Sequence, residues 1–263
     1  MRVLPSQSMP AAIEAVLLDV GGVFALPHPD MVRAALGVDF DEEGAARSHY
    51  AGGAAIDGLR GKEWDAYFTA YALEAGVPAA RLRVVLPALR DAFRAPDDVD
   101  VWSLFVPTAV DALKRLYRTG VALAVVSNSD GTVERLLRDN GVCQVGKGDG
   151  TCVSVVVDSG AVGSEKPEPG IFTHALDVLG VEPDRAVHVG DMVHADVVGA
   201  RAAGVRPLHF DPYEFCPLDD HEHVRSLDDV VELVYASRVR STVTSSPSAG
   251  PPWKMPLSGD TSV

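Results

Sequence analysis

The feature that most constrains this chain is an alternation. Apolar runs of strand length occupy residues 15–19, 121–126, 152–157, 186–189 and 206–210. Between them lie segments at 108–118, 131–140, 168–179 and 193–203, in which apolar side chains recur at helical spacing. Gly141, Gly180 and Gly204 follow the last three of these, where helices commonly end. Strands that are apolar on both faces and alternate with helices belong in a parallel sheet covered on each side. The expected fold class is therefore α/β.

One stretch departs from the alternation. Residues 27–102 contain helical patterns, clearest at 62–75 and 79–93, and no run that must be a strand. A helical insertion after the first strand of an α/β domain is expected to lie over the carboxyl ends of the strands, where such sheets bind ligands. The far end also changes character. Residues 239–263 are rich in Ser and Pro and are expected to be a disordered tail, with Trp253 incidental to it. The expected organisation is a core of residues 1–23 and 104–238, a helical cap of 24–103 and that tail.

The formal net charge of −14 argues against a nucleic-acid partner, since phosphate backbones require clustered Lys and Arg, and weakly against anionic lipid. No apolar run approaches a membrane span. Three cysteines, Cys143, Cys152 and Cys216, are too few for a disulfide framework and suit reduced thiols in the cytoplasm.

Polar side chains concentrate where predicted strands end. Asp19 precedes Val20-Gly21-Gly22, Ser127-Asn128-Ser129 closes the next run, Lys166 precedes Pro167, and Asp191 and Asp196 follow Gly190. Taken singly, each residue reads as a helix cap or a solvated side chain. Taken together, at successive strand-to-helix junctions of one parallel sheet, they converge on one site.

This set resembles the haloacid dehalogenase-like (HAD) superfamily. The likeness extends from about Val16 to about Phe210. The phrase Val157-Asp158-Ser159-Gly160, followed by Lys166-Pro167-Glu168-Pro169-Gly170-Ile171-Phe172, is close to the subfamily with a helical cap after the first motif. The resemblance implies a Rossmann-like parallel-sheet core and a phosphatase that works with Mg²⁺ through an aspartyl-phosphate intermediate. By position, Asp19 would be the nucleophile and a metal ligand, and Lys166 would steady nucleophile and phosphate. Ser127 and Asn128 would hold phosphoryl oxygens. The Gly21 carbonyl and Asp191 would also bind Mg²⁺, and Asp196 would support the metal shell. The implied partner is a small phosphorylated metabolite.

The chain departs from this pattern at Gly21, where the family's phosphatases usually carry a second Asp that protonates the leaving oxygen and activates water. Three readings remain. They are a phosphatase with another acid or an undemanding leaving group, a weak phospho-ligand-binding regulatory protein, and a 2-haloacid dehalogenase. The intact Gly190-Asp191 pair disfavours the last. His28 is a candidate spare acid–base group, although a surface histidine is the simpler expectation. Arg33, Asp57 and Lys62 are expected to be solvated cap residues. The group Cys216, Asp219, Asp220, His221 and His223 is expected to be a polar surface loop, because no second Cys or His pair completes a zinc spacing. The Gly146–Gly150 run reads as a loop insertion without nucleotide-binding spacing.

Overall fold

The computed structural model describes residues 12–59, 64–94 and 101–244. The chain begins with strand β1 (Ala15–Leu18) and the short strand β2 (Ala25–Leu26). Four helices follow, α1 (Pro29–Leu36), α2 (Glu42–Gly58), α3 (Trp64–Glu74) and α4 (Leu82–Ala92). The chain re-enters the core at β3 (Leu104–Phe105), then runs through α5 (Pro107–Arg118), β4 (Ala122–Ser127) and α6 (Val133–Asp139). Next come β5 (Cys143–Val145), β6 (Thr151–Val153), β7 (Val155–Asp158), α7 (Ser159–Val162) and α8 (Pro169–Leu179). The last elements are β8 (Ala186–Gly190), α9 (Gly199–Ala202), β9 (Arg206–Phe210), β10 (Glu222–Val224) and α10 (Leu227–Thr244).

A parallel six-stranded sheet in the order β10-β9-β8-β1-β4-β7 forms the core. The period-two geometry of a strand explains its apolar runs. Val16 and Leu18 of β1, with Leu123, Val125, Val187 and Val189, pack on one face against Leu113 and Leu116 of α5 and Val230 and Val234 of α10. Ala15 and Leu17, with Ala124, Val126 and Val157, pack on the other against Ile171, Phe172 and Leu176 of α8. Both faces are dry, which is why β1 carries no polar residue until its end.

Helices α1–α4 have an apolar core of their own, built on Val32, Leu36, Tyr67, Tyr71, Val85 and Leu89. The chain leaves and re-enters the sheet domain through the antiparallel pair β2–β3, with Ala25 opposite Phe105. Helices α2 and α3 approach closely because position 52 is glycine. A Cβ there would lie 2.6 Å from the Tyr67 ring.

Three expectations need correction. The run 152–157 is two strands, with β6 paired to β5 and β7 to β4, because Ser154 breaks the register between them. The segment at 193–203 opens with a π-helical turn, Val193–Val198, before α9, and Asp196 turns its side chain back into that opening. Residues 239–244 continue α10 and do not belong to a tail. The rest of the expected tail, including Trp253, and Lys62 lie outside the described residues.

Candidate active site

Strand β1 lies between β4 and β8, with Leu18 level with Val125 on one side and Val189 on the other. The residues after these positions therefore emerge side by side at the carboxyl edge. A cavity of about 1230 Å³ opens there, between the sheet domain and helices α2–α4. Asp19, Gly21, Ser127, Asn128, Lys166, Asp191 and Asp196 all line it.

The ammonium of Lys166 is the electrostatic centre. Its Nζ lies 2.8 Å from Asp19 Oδ1 and 2.8 Å from Asp196 Oδ1, and all three side chains are almost fully buried. Burial alone would lower the Lys166 pKa, but the two carboxylates overcome it and hold the ammonium charged. Asp196 also accepts from His188 Nε2 at 2.8 Å and from the Met192 amide at 3.0 Å. Burial raises its pKa, yet Lys166 and His188 together bring it below the usual carboxylate range. Asp196 is thus a fully engaged anion that anchors Lys166. Asp19 is different. Burial pushes its pKa up to about 7, opposed by Lys166 and reinforced by Asp196 and Asp191.

Two glycines permit this crowding. A Cβ at Gly22, whose φ is +70°, would overlap the Asp191 carboxylate, and one at Gly190 would overlap that of Asp196. Side-chain oxygens of Asp19, Asp191 and Asp196 come within 4.8 Å of one another. Among the described residues no hydrogen bond occupies Asp19 Oδ2 or Asp191 Oδ1. Three carboxylates against one ammonium leave the cluster formally negative, and an all-oxygen donor set of this kind suits a hard divalent cation such as Mg²⁺.

Asn128 has a narrower role for its side chain than phosphate contact. Its Oδ1 accepts from the Lys166 amide at 2.7 Å and its Nδ2 donates to the Lys166 carbonyl at 3.0 Å. The carboxamide clamps the Lys166 backbone.

The cap supplies a second wall that sequence reasoning missed. His49 of α2 is buried, with Nε2 2.8 Å from Asp191 Oδ2 and Nδ1 2.8 Å from the Tyr67 hydroxyl. Its edge also meets the Trp102 ring, with centroids 5.3 Å apart. A faint signal existed, since His49 falls on the same helical stripe as the buried residues Ala45 and Ile56. Trp102 sits over Gly21, so that a Cβ there would touch the indole at 3.5 Å. Any longer side chain at position 21 would compete with Trp102 for space.

Three cap expectations change or resolve. Asp57 is buried, lines the cavity and accepts from the Val193 amide at 2.9 Å, so it is not solvated. The docking of α2 onto the Val193 turn is what buries it. His28 caps α1, accepting from the Asp30 amide at 3.2 Å, and does not line the cavity. Arg33 is tied to the Phe40 carbonyl at 3.0 and 2.7 Å and stays outside the cavity. The Gly146–Gly150 loop is closed internally by the Gln144 carboxamide, which bonds both the amide and the carbonyl of Gly150.

A parallel sheet with a helical insertion after β1, and Asp, Ser, Lys and an acidic pair at successive strand ends, defines a class of hydrolase. The family model described as haloacid dehalogenase-like hydrolase matches residues 13–204, and the chain belongs to that family. A ribulose-1,5-bisphosphate 5-phosphatase of Halopiger xanaduensis is 33% identical over 68% of this chain and 73% of its own length. A phosphoserine phosphatase of Thermus thermophilus is 42% identical, over a match that spans only 40% of each protein. Among solved structures, a HAD-superfamily hydrolase of subfamily IA from Geobacter sulfurreducens superposes with a TM-score of 0.52 at 21% identity, covering 86% of this chain and 99% of that one. That likeness concerns the fold alone. No helix among the described residues is long and apolar enough to cross a membrane.

Proposed function

We propose that this hydrolase is a magnesium-dependent phosphatase that acts on a small phosphorylated metabolite through an aspartyl-phosphate intermediate on Asp19. The observation that carries this reading is the meeting of Asp19, Lys166, Asp191 and Asp196 in one cavity beneath the cap. A carboxylate nucleophile and a phosphate dianion repel each other, so the site must supply positive charge.

Lys166 supplies one unit, held in place by Asp196 and by the Asn128 clamp on its backbone. Asp19 Oδ2 and Asp191 Oδ1, with the Gly21 carbonyl, would hold Mg²⁺, which when bound contributes two further positive charges beside nucleophile and phosphate. Ser127 and the backbone amides that follow it would receive the phosphoryl oxygens. Asp19 attacks phosphorus, the bond from phosphorus to the leaving oxygen breaks, and that oxygen takes its proton from water. Water then hydrolyses the acyl phosphate and regenerates the Asp19 carboxylate. The cap, residues 24–103, closes over the substrate and excludes bulk water.

Two curated relatives named above are phosphatases, with different substrates. They support the reaction class and leave the metabolite open. A cytoplasmic setting fits the three free thiols.

A second reading rests on Gly21 and Trp102. Indole in place of the usual acid favours slow turnover of ordinary phosphomonoesters, and so a phospho-ligand binder. One experiment separates the two. Phosphate release is measured from a panel of phosphorylated metabolites, with Mg²⁺ and with EDTA, for wild type and Asp19→Asn. Metal-dependent release that disappears in the variant supports the phosphatase. No release from any compound, with a phosphorylated compound raising Tm, overturns it in favour of the binder.

A further inference from the structure

A second cluster of ligating side chains lies behind the cavity, at the end of β9. His209 of β9 and His223 of β10 are paired in register, so both side chains project from the same sheet face. The connection between these strands brings Cys216 and His221 to them. One ligand atom from each of His209, Cys216, His221 and His223 lies within 4.8 Å of all the others. Sequence spacing concealed this set, because His209 comes from a strand that the Cys216–His223 segment does not contain.

The hydrogen bonds assign the ring protons. His209 Nε2 lies 2.9 Å from the Asp191 carbonyl oxygen, which can only accept, so Nε2 carries the hydrogen. His221 Nδ1 lies 2.7 Å from Asp220 Oδ1, so that nitrogen carries the hydrogen in the second ring. The two remaining nitrogens, His209 Nδ1 and His221 Nε2, each present a lone pair, and they face each other at 2.9 Å. Cys216 Sγ lies 3.8 Å from the same His221 nitrogen. Two facing lone pairs require a cation between or beside them.

A proton shared by these two nitrogens would leave Cys216 and His223 unused, whereas one metal ion can engage all four ligand atoms. A metal ion matches the spacing. Tetrahedral bonds of about 2.05 Å to nitrogen and about 2.3 Å to sulfur place nitrogens about 3.3 Å apart and nitrogen and sulfur about 3.6 Å apart. Histidines that donate their second N–H to a carboxylate or a backbone carbonyl are also the usual supports of such a site. The loop is prepared for the role. The buried Asp211 carboxylate accepts from the amides of both Phe215 and Cys216 at 2.9 Å, which fixes where Cys216 begins.

We propose that His209, Cys216, His221 and His223 form a structural zinc site. Four protein ligands leave no open position, so the ion holds structure and performs no chemistry. Zinc binding releases the Cys216 thiol proton to solvent and forms one Zn–S and three Zn–N bonds. The site fastens the β9–β10 connection to the sheet. Through His209 Nε2 it also steadies the carbonyl of Asp191, whose carboxylate faces Asp19.

The test uses the full chain without a polyhistidine tag, loaded with Zn²⁺ and then desalted into Mg²⁺ buffer. Elemental analysis is expected to find about one zinc per chain in the wild type and in Asp19→Asn, and much less than one in Cys216→Ser and His223→Gln. His223 is exposed, so its variant remains informative if Cys216→Ser does not fold. With Co²⁺ in place of zinc, tetrahedral ligand-field bands and a sulfur-to-metal charge-transfer band should appear, the latter absent from Cys216→Ser. No retained zinc in the wild type, or zinc lost from Asp19→Asn but kept in both loop variants, would overturn the proposal.

Discussion

The cavity has two walls that differ in kind. The sheet wall carries Asp19, Ser127, Lys166, Asp191 and Asp196 on strand ends and the turns behind them. The cap wall carries His49, Asp57 and Trp102, which arrive through helix docking and the returning chain. On the sheet wall a buried ammonium is shared by two carboxylates, so that removing the ammonium leaves buried carboxylates without their common cation. The cap wall reaches the sheet domain through single hydrogen bonds, His49 to Asp191 and Asp57 to the Val193 amide. In the proposed mechanism the chemistry belongs to the sheet wall, and the cap wall tunes it.

Substitutions can break or sharpen that division. Asp19→Asn keeps the shape of the side chain and removes the proposed nucleophile. Phosphate release should fall by at least roughly 10³-fold. A smaller loss, read in steady-state assays, would mean that the nucleophile lies elsewhere. Lys166→Met strands Asp196 and Asp19 as buried anions and should cost roughly 3–5 kcal/mol of stability in urea unfolding, besides activity. Stability equal to wild type would show that the ion pair is not the organising contact of this wall.

A milder effect is expected from His49→Phe. It removes the donor to Asp191 and leaves the Tyr67 hydroxyl without its partner. The Mg²⁺ concentration needed for half-maximal activity should rise about 10–100-fold, as for other groups that support metal ligands, with a lesser change at saturating metal. An effect as large as that of Asp19→Asn would erase the distinction between the walls.

The smallest effect should come from Asp57→Asn. Burial, and then the nearby Asp191, push the Asp57 pKa up to about 8, and its Oδ2 is buried without a hydrogen bond. Between the ordinary carboxylate value and about 8 the folded chain holds this proton and the unfolded chain does not. The contribution of Asp57 to stability thus falls as pH rises through that window. Asparagine can keep a carbonyl toward the Val193 amide and does not ionise. The gain in Tm over wild type should be greater at pH 8 than at pH 5, and an equal gain at both would show that the carboxyl does not titrate in that range.

How much of this was legible follows the same division. The ends of β1, β4 and β8 could be found because apolar runs locate parallel strands and neighbouring strands deliver their next residues to one edge. Lys166 and Asp196 were legible only as members of the motif set that resembles the HAD superfamily, and their mutual ion pair emerged only in the fold. His49 left only the faint signal of its helical stripe and Asp57 none, because α2 gives little local reason for a polar residue to face inward. Their burial depends on Gly52 admitting Tyr67 and on the cap meeting the sheet domain. The metal-ligating potential of His209 was hidden for a related reason, since register between β9 and β10 pairs it with His223 across an intervening loop.

The sequence by itself determined the α/β class, the helical insertion, the family and the carboxylate–lysine side of the site. The fold class and the insertion follow from local periodicity, and the family and that side of the site from motifs at strand ends that resemble the HAD superfamily. Tertiary structure alone decided what surrounds Gly21. Trp102 fills the space beside it, His49 bonds Asp191, and elsewhere His209 of β9 meets Cys216, His221 and His223 from the next loop and strand. Contacts between segments distant along the chain depend on how whole elements dock, and no local pattern records that docking.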